Sequence, residues 1–187
     1  TGNFIYALKN DGTVWAWGYN RRMVCGVDGE NYVSLTQIVG LQDVVQISAG
    51  TDYVLARKAN GTVWAWGFNA DGVLGDGTTN SSAVPVQVIG LTGVTDISAG
   101  SSHCLAVSSG TLYAWGLNQD GQLGTGTTTD RVQPVRIRLN NVRQVAAGDS
   151  HSLALLNDGT VYAWGYNRDG QLGDRTTVDK TEPTENL

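Results

Sequence analysis

This sequence predicts an all-β protein assembled from repeated four-stranded units, and three observations predict it. Trp17-Gly18, Trp66-Gly67, Trp115-Gly116 and Trp164-Gly165 recur at a constant pitch of 49 residues. Each lies in one phrase, written Gly12-Thr13-Val14-Trp15-Ala16-Trp17-Gly18-Tyr19-Asn20 in the first copy and Gly61-Thr62-Val63-Trp64-Ala65-Trp66-Gly67-Phe68-Asn69 in the second. No window carries the apolar period near 3.6 residues that a helical solenoid needs. Four short strands in about forty to fifty residues make a β-propeller blade. The expected architecture is therefore a β-propeller of four-stranded blades, with about four blades present as a partial ring or as half of an oligomeric ring. A single domain spans 1–187, in units of approximately 1–43, 44–93, 94–141 and 142–187.

The second unit shows how each strand is read. Residues 44–49 alternate toward Gly50, 53–58 return, and Asn60-Gly61 supplies the positive φ angles of a tight hairpin. A third strand over 62–67 follows. A Gly-rich loop over 69–79 then leads to a last strand near Val84-Pro85-Val86. Pro85, Pro134 and Pro183 suit a strand start or an edge, where no ladder donor is lost. In Val14-Trp15-Ala16-Trp17 both indoles face one side and the smaller residues the other. Blades stack face to face, so Trp against Ala gives the large-on-small interlock that dense packing requires.

The Trp-Gly phrase occurs four times, but the phrase of the first strand, Ile47-Ser48-Ala49-Gly50, Ile97-Ser98-Ala99-Gly100 and Val145-Ala146-Ala147-Gly148, occurs three times. The sequence thus starts and ends inside a blade and leaves an unpaired strand and two apolar faces to be covered. Three completions satisfy this: a longer propeller of which this is a piece, two copies paired end to end, or four blades closing on themselves. Repeated head-to-tail joining also permits an open filament.

Composition removes several classes of function. The 187 residues carry 12 basic and 17 acidic side chains, a net charge of −5. Nucleic acid and anionic membranes select for clustered Lys and Arg, so neither is the expected partner. No window approaches eighteen consecutive apolar residues, and the amino end lacks the basic and apolar regions of a signal peptide, so no membrane insertion is expected. The absence of an initial Met reads as a processed product or a fragment.

Candidate chemistry is sparse. Cys25 takes the position of Leu74, Leu123 and Leu172 and reads as a small buried hydrophobe. Cys104 follows His103 on a strand, where neighbours face opposite ways and cannot co-ligate an ion. His103 and His151 share a repeat slot with Phe4 and Tyr53, so this is a packing position with one satisfied ring nitrogen. Asn69-x-Asp71-Gly72 and its copies resemble part of a calcium loop. They lack its first carboxylate and its closing Glu, and read instead as side chains capping their own Gly turns. No Ser, His and Asp set and no nucleophile elbow stands apart from the repeat. Catalytic residues, cofactor-binding residues and metal ligands are all expected to be none.

The first unit departs from the pattern at Arg21-Arg22-Met23 and continues to Tyr32 without the Gly-Thr-Thr of the others. Arg, Met and Tyr are enriched in interfaces. The candidate partner-binding residues are therefore Arg21, Arg22, Met23 and Tyr32 of the irregular loop 21–32, with Asn80 and Arg131 of the rim loops 80–83 and 129–133.

The phrase Gly-Thr-Val-(Trp/Tyr)-Ala-Trp-Gly-x-Asn-x-Asp-Gly-Gln-Leu-Gly-x-Gly-Thr-Thr, best seen at 110–128, with His-x-Leu-Ala at His103 and at His151, resembles the regulator of chromosome condensation repeat family over essentially the whole chain. The resemblance implies a seven-bladed propeller. The founding member is a nucleotide-exchange factor for a small nuclear GTPase that also docks on chromatin. That exchange depends on an insertion for which the uniform pitch leaves no room, and the docking depends on basic extensions that this acidic chain lacks. The wording of the repeats is closest to the bacterial members, which implies an extracellular or cell-surface setting rather than a cytoplasmic one. The expected function is a non-catalytic protein-binding scaffold with a protein partner. The alternatives are a self-assembling structural protein, a homo-oligomer joined through its terminal blades, and, third, a guanine-nucleotide exchange factor.

Overall fold

The structure is a computed structural model that describes residues 4–185, so the terminal residues 1–3 and 186–187 read above lie outside it. Fifteen strands form four antiparallel sheets, with no helix among the described residues. Blade 1 has β1 (Phe4–Leu8), β2 (Val14–Tyr19) and β3 (Tyr32–Gln37). Blade 2 has β4 (Val44–Ala49), β5 (Tyr53–Lys58), β6 (Val63–Gly67) and β7 (Ser82–Gln87). Blade 3 has β8 (Val94–Ala99), β9 (His103–Ser108), β10 (Thr111–Gly116) and β11 (Arg131–Arg136). Blade 4 has β12 (Val142–Ala147), β13 (His151–Leu156), β14 (Val161–Gly165) and β15 (Lys180–Glu185). Strand order follows sequence order in every sheet. The last strand of blade 2 begins at Ser82, two residues before the expected Val84.

Side-chain alternation sends each blade's residues into two different cores. Trp66 is fully buried against blade 1 with Val14, Ala16 and Ile38, while Val63 and Ala65 on the other face of the same strand pack on blade 3 with Trp115 and Ile97. Trp164 repeats the arrangement on Ala114 and Leu105. Each indole also makes the same polar link. Nε1–H of Trp66 donates to the Val24 carbonyl at 2.7 Å, that of Trp115 to Val73 at 2.8 Å, and that of Trp164 to Gln122 at 2.8 Å. The bond satisfies the one polar atom of an otherwise apolar group, so burial of the ring carries no unpaired donor.

The inner strands add a second set of ties. Ser48 Oγ accepts the amide of Ala99 and Ser98 Oγ that of Ala147, each at 2.9 Å. Asp96 joins three blades, accepting from Gln46 Nε2 at 2.8 Å and from the Val145 amide at 2.9 Å. The four blades form an open arc: β12 packs on β8 and β9, β8 on β4 and β5, and β4 on β1. Closure of four blades on themselves is therefore excluded. The same Trp-on-Ala step repeats at each interface, and its rotation leaves blade 4 away from blade 1.

Candidate partner-binding surface

The turn after each inner strand and the loop joining each third and fourth strand share one end of the blades, because antiparallel pairing sets Tyr53 opposite Gly67. The loops are long, and a buried Asn organises each of them. Asn69 Oδ1 accepts the Leu74 amide at 2.9 Å, and its Nδ2 donates to the carbonyls of Thr78 at 3.1 Å and Asn80 at 3.0 Å. Asn118 binds Leu123, Thr127 and Thr129 in the same way, and Asn167 binds Leu172, Thr176 and Val178. These side chains span the whole loop. The Asn thus caps its own Gly turn through Oδ1, as expected, and its Nδ2 goes further: the carboxamide is a central strut that also satisfies carbonyls far along the chain.

Blade 1 keeps this strut in a different loop. Asn20 accepts the Cys25 amide at 2.8 Å and donates to the carbonyls of Val27 and Glu30 at 2.9 and 3.2 Å. Met23 stands where Gly72 and Gly121 stand, and it keeps their left-handed backbone, with φ 60° against 75° and 79°. A Cβ on Gly72 would lie 2.7 Å from Val132 Cα, and one on Gly121 would lie 2.8 Å from Thr181 Cα. Glycine is required there by the outer strand of the next blade. The outer strand that follows blade 1 carries the smaller Ala83 at that place.

The six sequence-predicted residues form no single constellation. Arg21, Arg22 and Met23 lie on one loop with Tyr32 at its far end, where Tyr32 is 74% exposed and its ring meets Tyr19 edge-on at 5.7 Å. Arg22 is partly spent inside the fold: its guanidinium sits 3.9 Å over the Phe68 ring and its Nε lies 3.8 Å from Asp52, both in blade 2. Asn80 is exposed on the corresponding loop of blade 2, and Arg131 opens the outer strand of blade 3. Sequence reasoning missed Arg136 and Arg138, which with Arg131 line a groove of about 790 Å³ between the outer strands of blades 3 and 4. The signal was present as three Arg within eight residues of an acidic chain.

The shared His slot joins blades. Ser152 Oγ–H donates to the Gln122 carbonyl at 2.7 Å, so His103 Nε2 carries the proton in its 2.9 Å bond to that hydroxyl. His103 Nδ1 is buried without a partner, and burial, reinforced by nearby His151, lowers the pKa of the ring to about 4. In blade 2 the Tyr53 hydroxyl takes this place, 2.7 Å from the His103 carbonyl. Cys104 faces blade 2 instead, and burial raises its thiol well above the ordinary range. Burial likewise pushes the Cys25 thiol up to about 11. Among the described residues no group of three or more His, Cys, Asp or Glu is placed to hold a metal ion.

Comparison with known proteins agrees with this geometry. The chain is 34% identical over 107 residues to the human E3 ubiquitin-protein ligase HERC2, a match over 54% of this chain and 2% of that protein, and mouse HERC2 gives the same values. Among solved structures, human WBSCR16 superposes with a TM-score of 0.88 at 25% identity, over 99% of this chain and 51% of that one. Yeast RCC1 (Prp20), in a crystal structure with Kap60 bound, gives 0.86 at 23% identity, over 99% and 47%. The chain thus spans about half of each of these propellers and a small part of HERC2. The RCC1-like domain model matches residues 1–187 from end to end, and the chain belongs to the RCC1-like domain family.

Proposed function

We propose that the chain is a non-catalytic protein-binding scaffold that offers partners the loop-bearing end and the outer edge of its blades. One observation carries the reading: the buried Asn strut holds each loop in a fixed shape while the residues around it diverge, from the exposed Arg21, Arg22 and Tyr32 with the half-buried Met23 in blade 1 to the exposed Asn80 in blade 2 and the half-buried Arg131 at the end of the loop in blade 3. A rigid frame with variable exposed positions is what loop-based recognition uses. Support also comes from a relative, since Prp20 has been crystallised with Kap60 and studied for binding to Gsp1p and histones. The test compares proteins captured by the full chain with those captured by an Arg21→Ala, Arg22→Ala, Tyr32→Ala variant. Because Arg22 also stacks on Phe68, an Arg21→Ala, Tyr32→Ala variant is run beside it. Loss of the captured set in both variants is expected, and unchanged capture overturns the reading. Stimulated release of labelled GDP from a small GTPase would favour nucleotide exchange instead.

A second reading is self-association through blade 1. Trp17 is half-buried where Trp66, Trp115 and Trp164 are fully buried, and Ile5 is 52% exposed beside a hollow of about 340 Å³ lined by Phe4, Ile47 and Val54. A second copy covering this face predicts a mass that rises with concentration in light scattering. A constant monomer mass contradicts it.

A further inference from the structure

We propose that the groove between the outer strands of blades 3 and 4 binds an acidic, extended peptide segment through Arg131, Arg136 and Arg138; this rests on the scaffold reading and names the chemistry of one partner. The comparison of blades 3 and 4 carries it. In blade 4 the outer strand opens with Lys180, and its ammonium is paired with Asp174 at 3.2 Å. Asp174 also accepts from the loop strut, Asn167 Nδ2, at 3.1 Å. In blade 3 the cation at the corresponding place is Arg131, and the place of Asp174 is taken by Thr125, a neutral side chain whose Oγ1 bonds the strut, Asn118 Nδ2, at 3.3 Å and Thr127 Oγ1 at 2.9 Å. Arg131 has therefore lost its carboxylate. Its Nε is buried with no hydrogen-bond partner, an arrangement that costs free energy unless something from outside supplies the acceptor.

The groove itself has a local cause. Blade 2 closes its loop onto the end of its outer strand by a bond from the Ile89 amide to the Gly75 carbonyl at 3.1 Å. The connection after β11 is one residue shorter than that after β7, and it turns at once, the Leu139 amide bonding the Ile137 carbonyl at 2.8 Å. Arg138, standing where blade 2 has Ile89, is left exposed at one end of the groove with Arg131 at the other. Arg136 between them is also exposed and donates only to Asn140 Oδ1, at 3.1 Å. None of the three forms an ion pair with a described residue.

The carboxylates in the groove are fewer. Asp130 already accepts the Asn118 amide at 2.7 Å, and Glu182 stands on the opposite wall beside Gly126. Three guanidinium groups spaced along β11 and the turn that follows it suit carboxylates spaced along an extended chain, and Arg binds carboxylate with two parallel bonds. Pro134 within β11 and Pro183 on the opposite wall each remove a backbone donor, so side chains rather than a full strand ladder hold the segment.

The test measures anisotropy of a labelled eight-residue peptide alternating Glu and Thr, with its Gln-for-Glu counterpart as control. Saturable binding of the Glu peptide, about tenfold tighter than the Gln peptide at low salt, is expected. Thr125→Asp recreates the Asp-x-Thr turn of blade 4 and supplies Arg131 with an internal partner, so it should weaken binding several-fold while leaving the melting temperature unchanged or higher. Arg131→Gln with Arg138→Gln should weaken it about tenfold. Equal binding of both peptides, no binding of either, or full affinity in Thr125→Asp overturns the proposal. So does an oligothymidylate of equal charge that displaces the peptide at lower concentration. If the peptide fails while the loop variants of blade 1 still lose their captured partners, this groove assignment falls and the scaffold reading stands.

Discussion

The interface between blades 2 and 3 and that between blades 3 and 4 are nearly the same object, whereas the outer edges of blades 3 and 4 differ in charge and in shape. At both interfaces an indole lies on an Ala of the preceding blade and donates to a loop carbonyl at 2.8 Å. At the edges, the Lys180 and Asp174 pair of blade 4 contrasts with an unpaired Arg131 and a neutral Thr125 in blade 3. A blade interface is constrained twice, because each blade must fit two neighbours, and a change in one breaks a repeated step. An outer edge meets its neighbour through that blade's loop, as where the Gly126 amide donates to the Thr181 carbonyl at 2.8 Å, and not through a stacked core. Variation accumulates where the ring geometry does not read it, and there a partner can.

The largest effect expected from breaking this contrast lies at the interface. Trp115→Ala removes a fully buried indole and leaves the Val73 carbonyl without its donor, so a loss of about 4 kcal/mol is expected in urea denaturation. Trp17→Ala, on the half-buried face of blade 1, should cost about 1–2 kcal/mol. Equal costs would mean that the stacking face of blade 1 is covered as fully as the others.

Acid should act through the interface as well. His103 is neutral when folded, with a pKa near 4 against an ordinary 6.5, so the unfolded chain binds more protons between these values. Stability is unaffected by this group above pH 6.5 and falls as pH drops through the window, by about 3 kcal/mol once pH 4 is reached. His103→Gln should flatten that segment of the pH profile, and an unchanged slope would place the sensitivity elsewhere.

The loops carry smaller effects than Trp115 or His103. Gly72→Ala forces a Cβ to within 2.7 Å of Val132 Cα in a left-handed backbone, for a loss of about 2 kcal/mol. Met23→Gly at the corresponding place should raise stability by up to about 1 kcal/mol, since the same backbone is held there without glycine. A gain at Met23 without loss at Gly72 would break the claim that the next blade's outer strand sets this position.

The sequence made most of the fold legible because a constant pitch states the blade directly, and Trp15, Trp64 and their copies mark which face each strand presents. Cys25 was legible as a core residue from its place among Leu74, Leu123 and Leu172, and it is fully buried. Blade 1's loop was visible as a departure, but not the stacking of Arg22 on Phe68, which depends on a contact between blades. The groove was hidden for a similar reason. It arises from one residue fewer after β11 and from the exchange of Asp for Thr125, and each change looks neutral until the strands are in place.

The most direct measurement is photo-crosslinking from p-benzoylphenylalanine placed in turn at Tyr32, at Gln133 on β11, and at Asp158 in the hairpin turn on the opposite end of blade 4. Protein adducts are expected from Tyr32 and from Gln133 and none from Asp158. Adducts from Asp158 alone, or the same adducts from all three positions, would contradict the claim that partners read the loops and outer edges of the blades.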